Sequence, residues 1–599
     1  MKKIYLIGLL VLITACNDGF MDKYPQTDIT SESFFNTPED LRTYVNGLYA
    51  ENSLYVRNNY DNEAFSDNMA YRGTTSNEYA MLKGAYSKET ASGWDKDDWK
   101  ALRAVNFFLS QSVKAVGEQS EIDHYIGTGR YFRAVFYMDK LQNYSNVPWY
   151  NKPLETDDPD LYKPSDPRTL VADSIIADLE FAAAHIKPDL GNRTAISRYA
   201  AQFLLARFYL QEGTTRKYRA ELNLSNTANA LLEKAEATSE SLINSNVFGI
   251  TGEGVDGYSA LFTSADLSGN DEIILMGEYT LGSGEGNSTF YGLYGESGLS
   301  RTLMESYLMK DGSRFTGQPG YDKKGYKDVF ADRDPRFMAT FAYPGFSKPN
   351  SASPYTIHIK VGGYESIKFY PRTAETLGQE TWRSSYNDLP VYRYAEVLLI
   401  YAESKAELGT LGQADLDRSV NKLRARVNMP SVNLSVANSE PDPVLAAQYP
   451  DVSGANKGII LEIRRERRVE LALEGNRLQD LHRWNAGERL AVPPQGMYIP
   501  ALGAYDTTGD DIPDYAFLAA KDAVGPISDL PADRQENLMI YYLDENAQEF
   551  YLSEGDKGFI MFTSDKDNPR TWISPKYYYR PVPIHAQLLN PSLEQVFGW

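Results

Sequence analysis

Apolar residues recur every three or four positions through much of the first 245 residues and again from 391, which predicts amphipathic helices in both regions. Thr37-Pro38-Glu39-Asp40 supplies an N-cap, a first-turn proline and two acids, a strong helix start. Further helices are predicted from Trp99 and over Ile122 to Leu141, Leu170 to His185, Arg198 to Gln211, Leu231 to Ser245 and from Val391. Small Ala200, Ala201 and Ala206 sit among large apolar residues, so a neighbouring helix can approach closely there. The period then breaks. Residues 58 to 99 are irregular and aromatic, 246 to 390 mix Gly, Ser and Tyr with short apolar runs such as Glu272 to Met276, and 491 to 570 are irregular again. The expected fold is therefore mainly α, a helical scaffold over about 34–245 and 391–490 carrying loop-rich insertions at about 246–390 and 491–570.

The stretch Ile459 to Trp484 (IILEIRRERRVELALEGNRLQDLHRW) departs from simple amphipathicity. It has no Pro and only Gly475, so it is predicted helical at least as far as Leu473. At about 100° per residue, Glu466, Glu470 and Glu474 share an arc with Ile459, Ile463, Leu473, Leu481 and Trp484. Leu461, Val469 and Ala472 point elsewhere. A solvated, charge-laced helix is one reading. A helix buried among others fits better, and its inward carboxylates then need cations, for which Arg464, Arg465, Arg467, Arg468 and Arg477 are the local supply.

Composition narrows the function. A chain of 599 residues with 42% hydrophobic and 24% charged residues can bury a large core. A formal net charge of -21 argues against nucleic acid as a partner, and against anionic polymers unless a local basic pocket exists. The 43 Tyr against 25 Phe suit a surface that binds sugar or peptide, although most will be packing residues. The one Cys, Cys16, ends MKKIYLIGLLVLITAC, whose basic start, short apolar run and small residues predict a signal peptide over residues 1–15. Its Leu-Ile-Thr-Ala-Cys ending resembles the lipobox of bacterial lipoproteins, in which the Cys becomes lipidated. The alternative is an ordinary signal peptide that contains a Cys. Residues 16–33 then form a tether, and no later segment reads as transmembrane.

No catalytic motif stands out. The five His (His124, His185, His358, His482, His585) make no helical zinc pair, and neither a nucleophile elbow nor a phosphate loop occurs. No cofactor is required by the sequence. Asp506-Thr-Thr-Gly-Asp510-Asp-Ile-Pro-Asp514 is weighed as a structural calcium loop, with Asp506, Thr508, Asp510, the Ile512 carbonyl and Asp514 as ligands. Asp511 replaces the usual turn Gly and Phe517 the usual Glu at position 12, so an acidic surface turn is the alternative.

ERRVELALEGNRLQDLHRW resembles the signature near the C-terminus of the SusD/RagB family, outer-membrane lipoproteins that bind nutrients for a partner TonB-dependent transporter. Phe20 to Tyr49, DPRF (Asp334 to Phe337), VYRYAEVLLIYAESKAELG, LRARVNMP and the closing KYYYRPVPIHAQLLNPSLEQVFGW resemble further landmarks of that family. In YSNVPWY, Ser145-Asn146 stand where the family has Gly-Asp. The resemblance implies a tetratricopeptide-like repeat scaffold forming a single SusD-like domain over 34–599. It implies oligosaccharide or polysaccharide capture on an aromatic shelf built by loops, for delivery to a SusC-like TonB-dependent transporter. It also implies residence on the outer membrane through a lipid on Cys16, facing the cell exterior. Candidates for the shelf are Tyr71, Arg72 and Trp94 from the first loop region and Phe290, Tyr291 and Tyr294 from the second; core packing is the alternative for each. Peptide capture, as in RagB-like members, and an all-α periplasmic glycosidase are the competing functions.

Overall fold

The computed structural model describes residues 34–599 apart from 52, 56–62, 64, 71–75, 283 and 296. Helix α1 (Pro38–Leu48) starts where its cap predicts: the Thr37 hydroxyl accepts from the Asp40 N–H, and the Asp40 carboxylate accepts from the Thr37 N–H. Then follow α2 (Lys96–Gln111), α3 (Gln119–Tyr144), α4 (Arg168–His185), α5 (Arg198–Tyr218) and α6 (Ala228–Asn244), each from α2 on packed against its successor. Gly213 of α5 lets α6 close in, since a Cβ there would lie 3.0 Å from Leu232. After the first insertion the series resumes with α7 (Tyr394–Leu408) against α6, and α8 (Lys457–Glu470) packs on α7. Stacking each helix on the last is the logic of a helical repeat, and the fold is mainly α. Among the described residues no helix is long and apolar enough to cross a membrane.

The insertions are less irregular than their sequence. Though far apart in the chain they build one second core, in which Tyr258, Phe262, Phe337 and Ile367 pack with Met497, Tyr515, Phe517 and Ile560. Gly362 and Gly496 let the two backbones meet, and the Met497 N–H donates to the Gly362 carbonyl at 2.8 Å. Strand β1 (Ile273–Gly277) pairs antiparallel with β2 (Leu389–Arg393) and is buried on both faces. Ile274 and Val391 enter the helical core while Ile273, Met276 and Leu389 enter the second, so this strand pair joins the two. The helix expected from Val391 accordingly starts only at Tyr394, because β1 takes the backbone before it. In the second insertion β3 (Tyr498–Ile499), β8 (Gly558–Phe562) and β7 (Phe550–Leu552) form one antiparallel sheet. In the other sheet β5 (Tyr515–Leu518) lies between an antiparallel β4 (Gly503–Tyr505) and a parallel β6 (Met539–Tyr542).

Helix α8 is buried nearly all round, charges included. It ends at Glu470, short of the expected Leu473. Leu473 has left-handed backbone (φ 65°), and the chain restarts as the short helix α9 (Arg477–Arg483). Other chain segments take up the carbonyls left at the helix end. Lys368 donates to the carbonyls of Glu470 (3.1 Å) and Ala472 (2.8 Å), and Arg393 to that of Glu470 (2.8 Å). The inward carboxylates are paired, but the local arginines are not their partners. Glu466 pairs with Arg336 (2.5 Å) and Arg424 (2.8 Å). Glu470 pairs with Arg336 (2.9 Å), Arg393 (2.7 Å) and Arg426, and Glu474 with Arg393 (2.7 Å) and Lys368 (2.7 Å). The local arginines face elsewhere, Arg464 to Glu407, Arg465 to Asp442, Arg467 to Asp480 and Glu396, Arg468 and Arg477 to Asp67. Residues four apart on a helix share a face, so Glu466 and Glu470 look together away from most of their sequence neighbours, and the turn after α8 brings Glu474 to the same Arg393 as Glu470. Burial alone would raise the Glu470 carboxyl, yet Arg426, Arg393 and Arg336 hold it well below the usual range.

Candidate functional site

A face of exposed rings is assembled where the 290s loop meets the segment around 382. The single turn Thr289–Leu293 buries Phe290, at 2% exposure, in the second core. Phe290 is thus an anchor and not a ligand contact, which corrects its place among the candidates. Tyr291 stacks on it with ring centroids 4.3 Å apart, and Tyr294 stands edge-on to Tyr291 at 5.0 Å. Tyr294 is 54% exposed. Trp382, which sequence reading missed, is 68% exposed with its ring 6.0 Å from Tyr291. It belongs to a stretch with no helical or strand period, so only its neighbours in space reveal it.

The two loops are clamped together beneath these rings. Asn287 and Ser385 exchange backbone hydrogen bonds of 2.8 and 3.0 Å, and the Arg383 N–H donates to Ser288 Oγ at 3.2 Å. Gly286 is required there, because a Cβ would fall 2.2 Å from the Arg383 carbonyl oxygen. The Arg383 guanidinium lies 6.0 Å from the Trp382 ring centre. Next to Tyr294 in the chain, Gly295 packs against the His358 ring, where a Cβ would come within 2.8 Å of it. His358 Nδ1 lies 2.9 Å from Oε1 of the buried Glu365, which also accepts from the His358 N–H (2.8 Å) and the Tyr355 hydroxyl (3.1 Å). The hydrogen bond to Glu365 raises the His358 pKa above its ordinary value, against a smaller opposing pull of burial. The same Tyr355 hydroxyl lies 3.1 Å from the Leu293 carbonyl, tying this group to the ring-bearing loop.

Of the other sequence candidates, Tyr71 and Arg72 lie outside the described residues, as does Cys16. The chain leading to the first pair is placed beside the 290s loop: Met69 bridges to Leu299, and the Ala70 N–H donates to the Gly298 carbonyl at 2.7 Å. A cavity of about 270 Å³ opens beside this stem, walled by Met69, Tyr79, Ser300, Arg489 and Pro493. Trp94 belongs to a different place. It is half-buried against the helical core, edge-on to Tyr144 (4.7 Å) and Trp99 (5.3 Å), and so is a packing residue.

The 506–514 turn closes on itself. Asp514 Oδ2 accepts from the N–H groups of Thr507 (2.7 Å) and Thr508 (2.9 Å), and Asp506 accepts from those of Gly509 (2.6 Å) and Asp511 (3.0 Å). Oδ1 atoms of Asp506, Asp510 and Asp514 do gather 3.2–3.3 Å from the Thr508 hydroxyl. However, Lys327 Nζ already sits 2.9 Å from Asp506 and 3.4 Å from Asp511, and Phe517, at the bidentate position of a calcium loop, is buried in β5. The residues present therefore fit a calcium loop poorly, and among the described residues no cluster of three His, Cys, Asp or Glu is arranged to hold a metal.

The chain has relatives of the same build. SusD-like protein P2 of Formosa agariphila is 24% identical over 513 residues, 82% of this chain and 92% of the relative. A SusD-like carbohydrate binding protein from Bacteroides fragilis has a similar structure, with TM-score 0.66 and 19% identity over 94% of this chain and all of its own (100%). A laminarin binding SusD-like protein is similar with TM-score 0.54 and 18% identity, over 94% of this chain and 100% of its own. At such identities these structures establish the fold. The model of the SusD family matches residues 274–599, more than half of the sequence, and the chain belongs to the SusD family.

Proposed function

We propose that the face carrying Tyr291, Tyr294 and Trp382 captures an oligosaccharide. The observation that carries this reading is the exposure of Tyr294 and Trp382 on rigidly seated loops, since large rings left in water mark a binding surface. Ring faces stack on the C–H faces of sugars, and the flanking Arg383 and His358 supply hydrogen bonds to hydroxyls. A carbohydrate-binding and a laminarin-binding relative of the same fold support the same ligand class. The protein serves as a capture lipoprotein, held on the outer membrane by lipid on Cys16 and passing glycan to a SusC-like TonB-dependent transporter.

A glycan panel with peptide controls, read by calorimetry and by product analysis, tests this. Glycan binding without turnover, weakened by Trp382→Ala at unchanged melting temperature, is the expected result. Binding of peptides alone favours the RagB-like alternative, and release of sugar products favours a glycosidase. Cys16→Ala is expected to leave the fold intact and lose membrane attachment in cells lacking the transporter, measured by membrane fractionation.

A further inference from the structure

In order of contact the series on the proposed glycan face runs Arg383, Trp382, Tyr291, Tyr294 and, through the adjoining Gly295, His358. At one end Arg383 is exposed and, among the described residues, has no carboxylate within ion-pair distance. At the other, the His358 side chain is 46% exposed, with Nδ1 turned to Glu365 and Nε2 without a partner among the described residues. Glu365 is wholly buried and His358 is its ion-pair partner. A neutral imidazole could still donate Nδ1–H to Glu365 but would leave this buried carboxylate without a countercharge, so the site favours the imidazolium. Lys348 lies behind, 5.6 Å from the Tyr355 ring centre, and is balanced by Glu380, which also accepts from Tyr370. Glu285, near Arg383 in the clamped loop, is itself engaged. Hence, among the described residues, the charged and titratable groups around His358 are Glu365, Tyr355 and Lys348, and the imidazolium, neutralised through Nδ1 by Glu365, turns its Nε2–H outward as a charge-assisted donor.

A neutral sugar needs hydrogen bonds from its site but no net charge. On a chain of formal charge -21, an exposed guanidinium and an imidazolium N–H donor beside stacking rings are a selective feature. We infer that this face selects glycans bearing an anionic substituent, a carboxylate or a sulfate ester, read by His358 and Arg383 while the rings stack on the sugar. This rests on the glycan-binding reading above and adds the ligand's charge.

The test compares matched pairs by calorimetry. A β-1,4-mannuronate oligosaccharide is set against β-1,4-manno-oligosaccharide of the same length, and a sulfated galactan oligosaccharide against its desulfated form. The expected result is a preference of about tenfold for the acidic member of at least one pair at pH 6, the scale of one charge-assisted hydrogen bond. Which pair shows it separates carboxylate from sulfate. The preference is expected to shrink at pH 8.5 as His358 loses its proton, and this pH dependence should vanish in His358→Gln. Arg383→Gln, at an exposed residue, should reduce the preference several-fold at unchanged melting temperature, so the inference remains testable if His358→Gln folds poorly. Equal affinity for both members of each pair, or a preference untouched by Arg383→Gln and by pH, overturns it. If neutral glycans then still bind and Trp382→Ala removes them, only this inference falls. If no glycan binds, the glycan reading falls with it.

Discussion

The surroundings of Glu470 and those of Trp382 invert the usual placement of side chains. Around Glu470, Arg336, Arg393, Arg426, Glu466 and Glu272 are all buried, whereas around Trp382 large rings stand in solvent. The contrast teaches how each departure is sustained. Every buried charge at the first place has opposite charges in contact, and those come from the first insertion (Glu272, Arg336), from β2 (Arg393) and from the segment after α7 (Arg426). The network therefore fixes how the second core seats on the helices. The exposed rings are only partly covered by their neighbours and keep much of their surface in solvent.

Breaking the network is expected to have the largest effect. Glu470→Gln removes the shared charge of three buried arginines and should cost about 3–5 kcal/mol of stability, measured by denaturant unfolding. A loss below 1 kcal/mol would mean the arginines can reach other partners. Phe290→Ala should cost a similar 3–5 kcal/mol, because it empties the core under the rings. Its neighbour Tyr294→Ala should instead leave stability within about 0.5 kcal/mol and weaken glycan binding several-fold, by calorimetry. If both variants behaved alike, the division into anchor and shelf would be wrong.

Acid should unpick the buried region before it touches the rings. Glu470 and Glu466 are held below their ordinary range, and Glu396, which burial would raise, is brought down to about 2 by Arg207 and Arg467. Carboxyls with depressed folded-state values contribute stability that is present above the unfolded value and lost as pH falls toward the folded one. The melting temperature is thus expected to hold near neutrality and to drop steeply from about pH 4.5 downward. A flat profile to pH 3 would show that the ion pairs contribute little.

Smaller effects sharpen the picture at two turns. Ser145 sits at φ 65°, with its hydroxyl buried and without a hydrogen-bond partner among the described residues. Ser145→Gly should relieve about 1 kcal/mol of strain and raise the melting temperature by about 1 °C. The smallest effect is expected of chelation. With Lys327 and backbone N–H groups already on the 506–514 carboxylates, a chelator should leave the melting curve unchanged. A fall of several degrees would restore calcium to that turn.

By itself the sequence determined the helices, because a 3.6-residue apolar period, a cap such as Thr37 and small residues such as Ala200 act within a few positions of the chain. It also determined that Glu466 and Glu470 turn inward together, since a spacing of four within α8 fixes a shared face, whereas Glu474, beyond the helix end, reaches Arg393 only through the turn at Leu473. Their partners were decided only by tertiary structure. Arg336, Arg393 and Arg426 lie far off in the chain, and no local rule connects them to α8. The same holds for the end of α8 at Glu470, fixed by Lys368 and Arg393 at its carbonyls, and for the short strands of the insertions, too brief to show a period. The binding face shows this most plainly. Tyr291 and Tyr294 could be named from their loop, but composition cannot tell a ring that points into a core, as Phe290 does, from one that points out. Trp382 joins them only because the Asn287–Ser385 clamp brings two distant loops side by side.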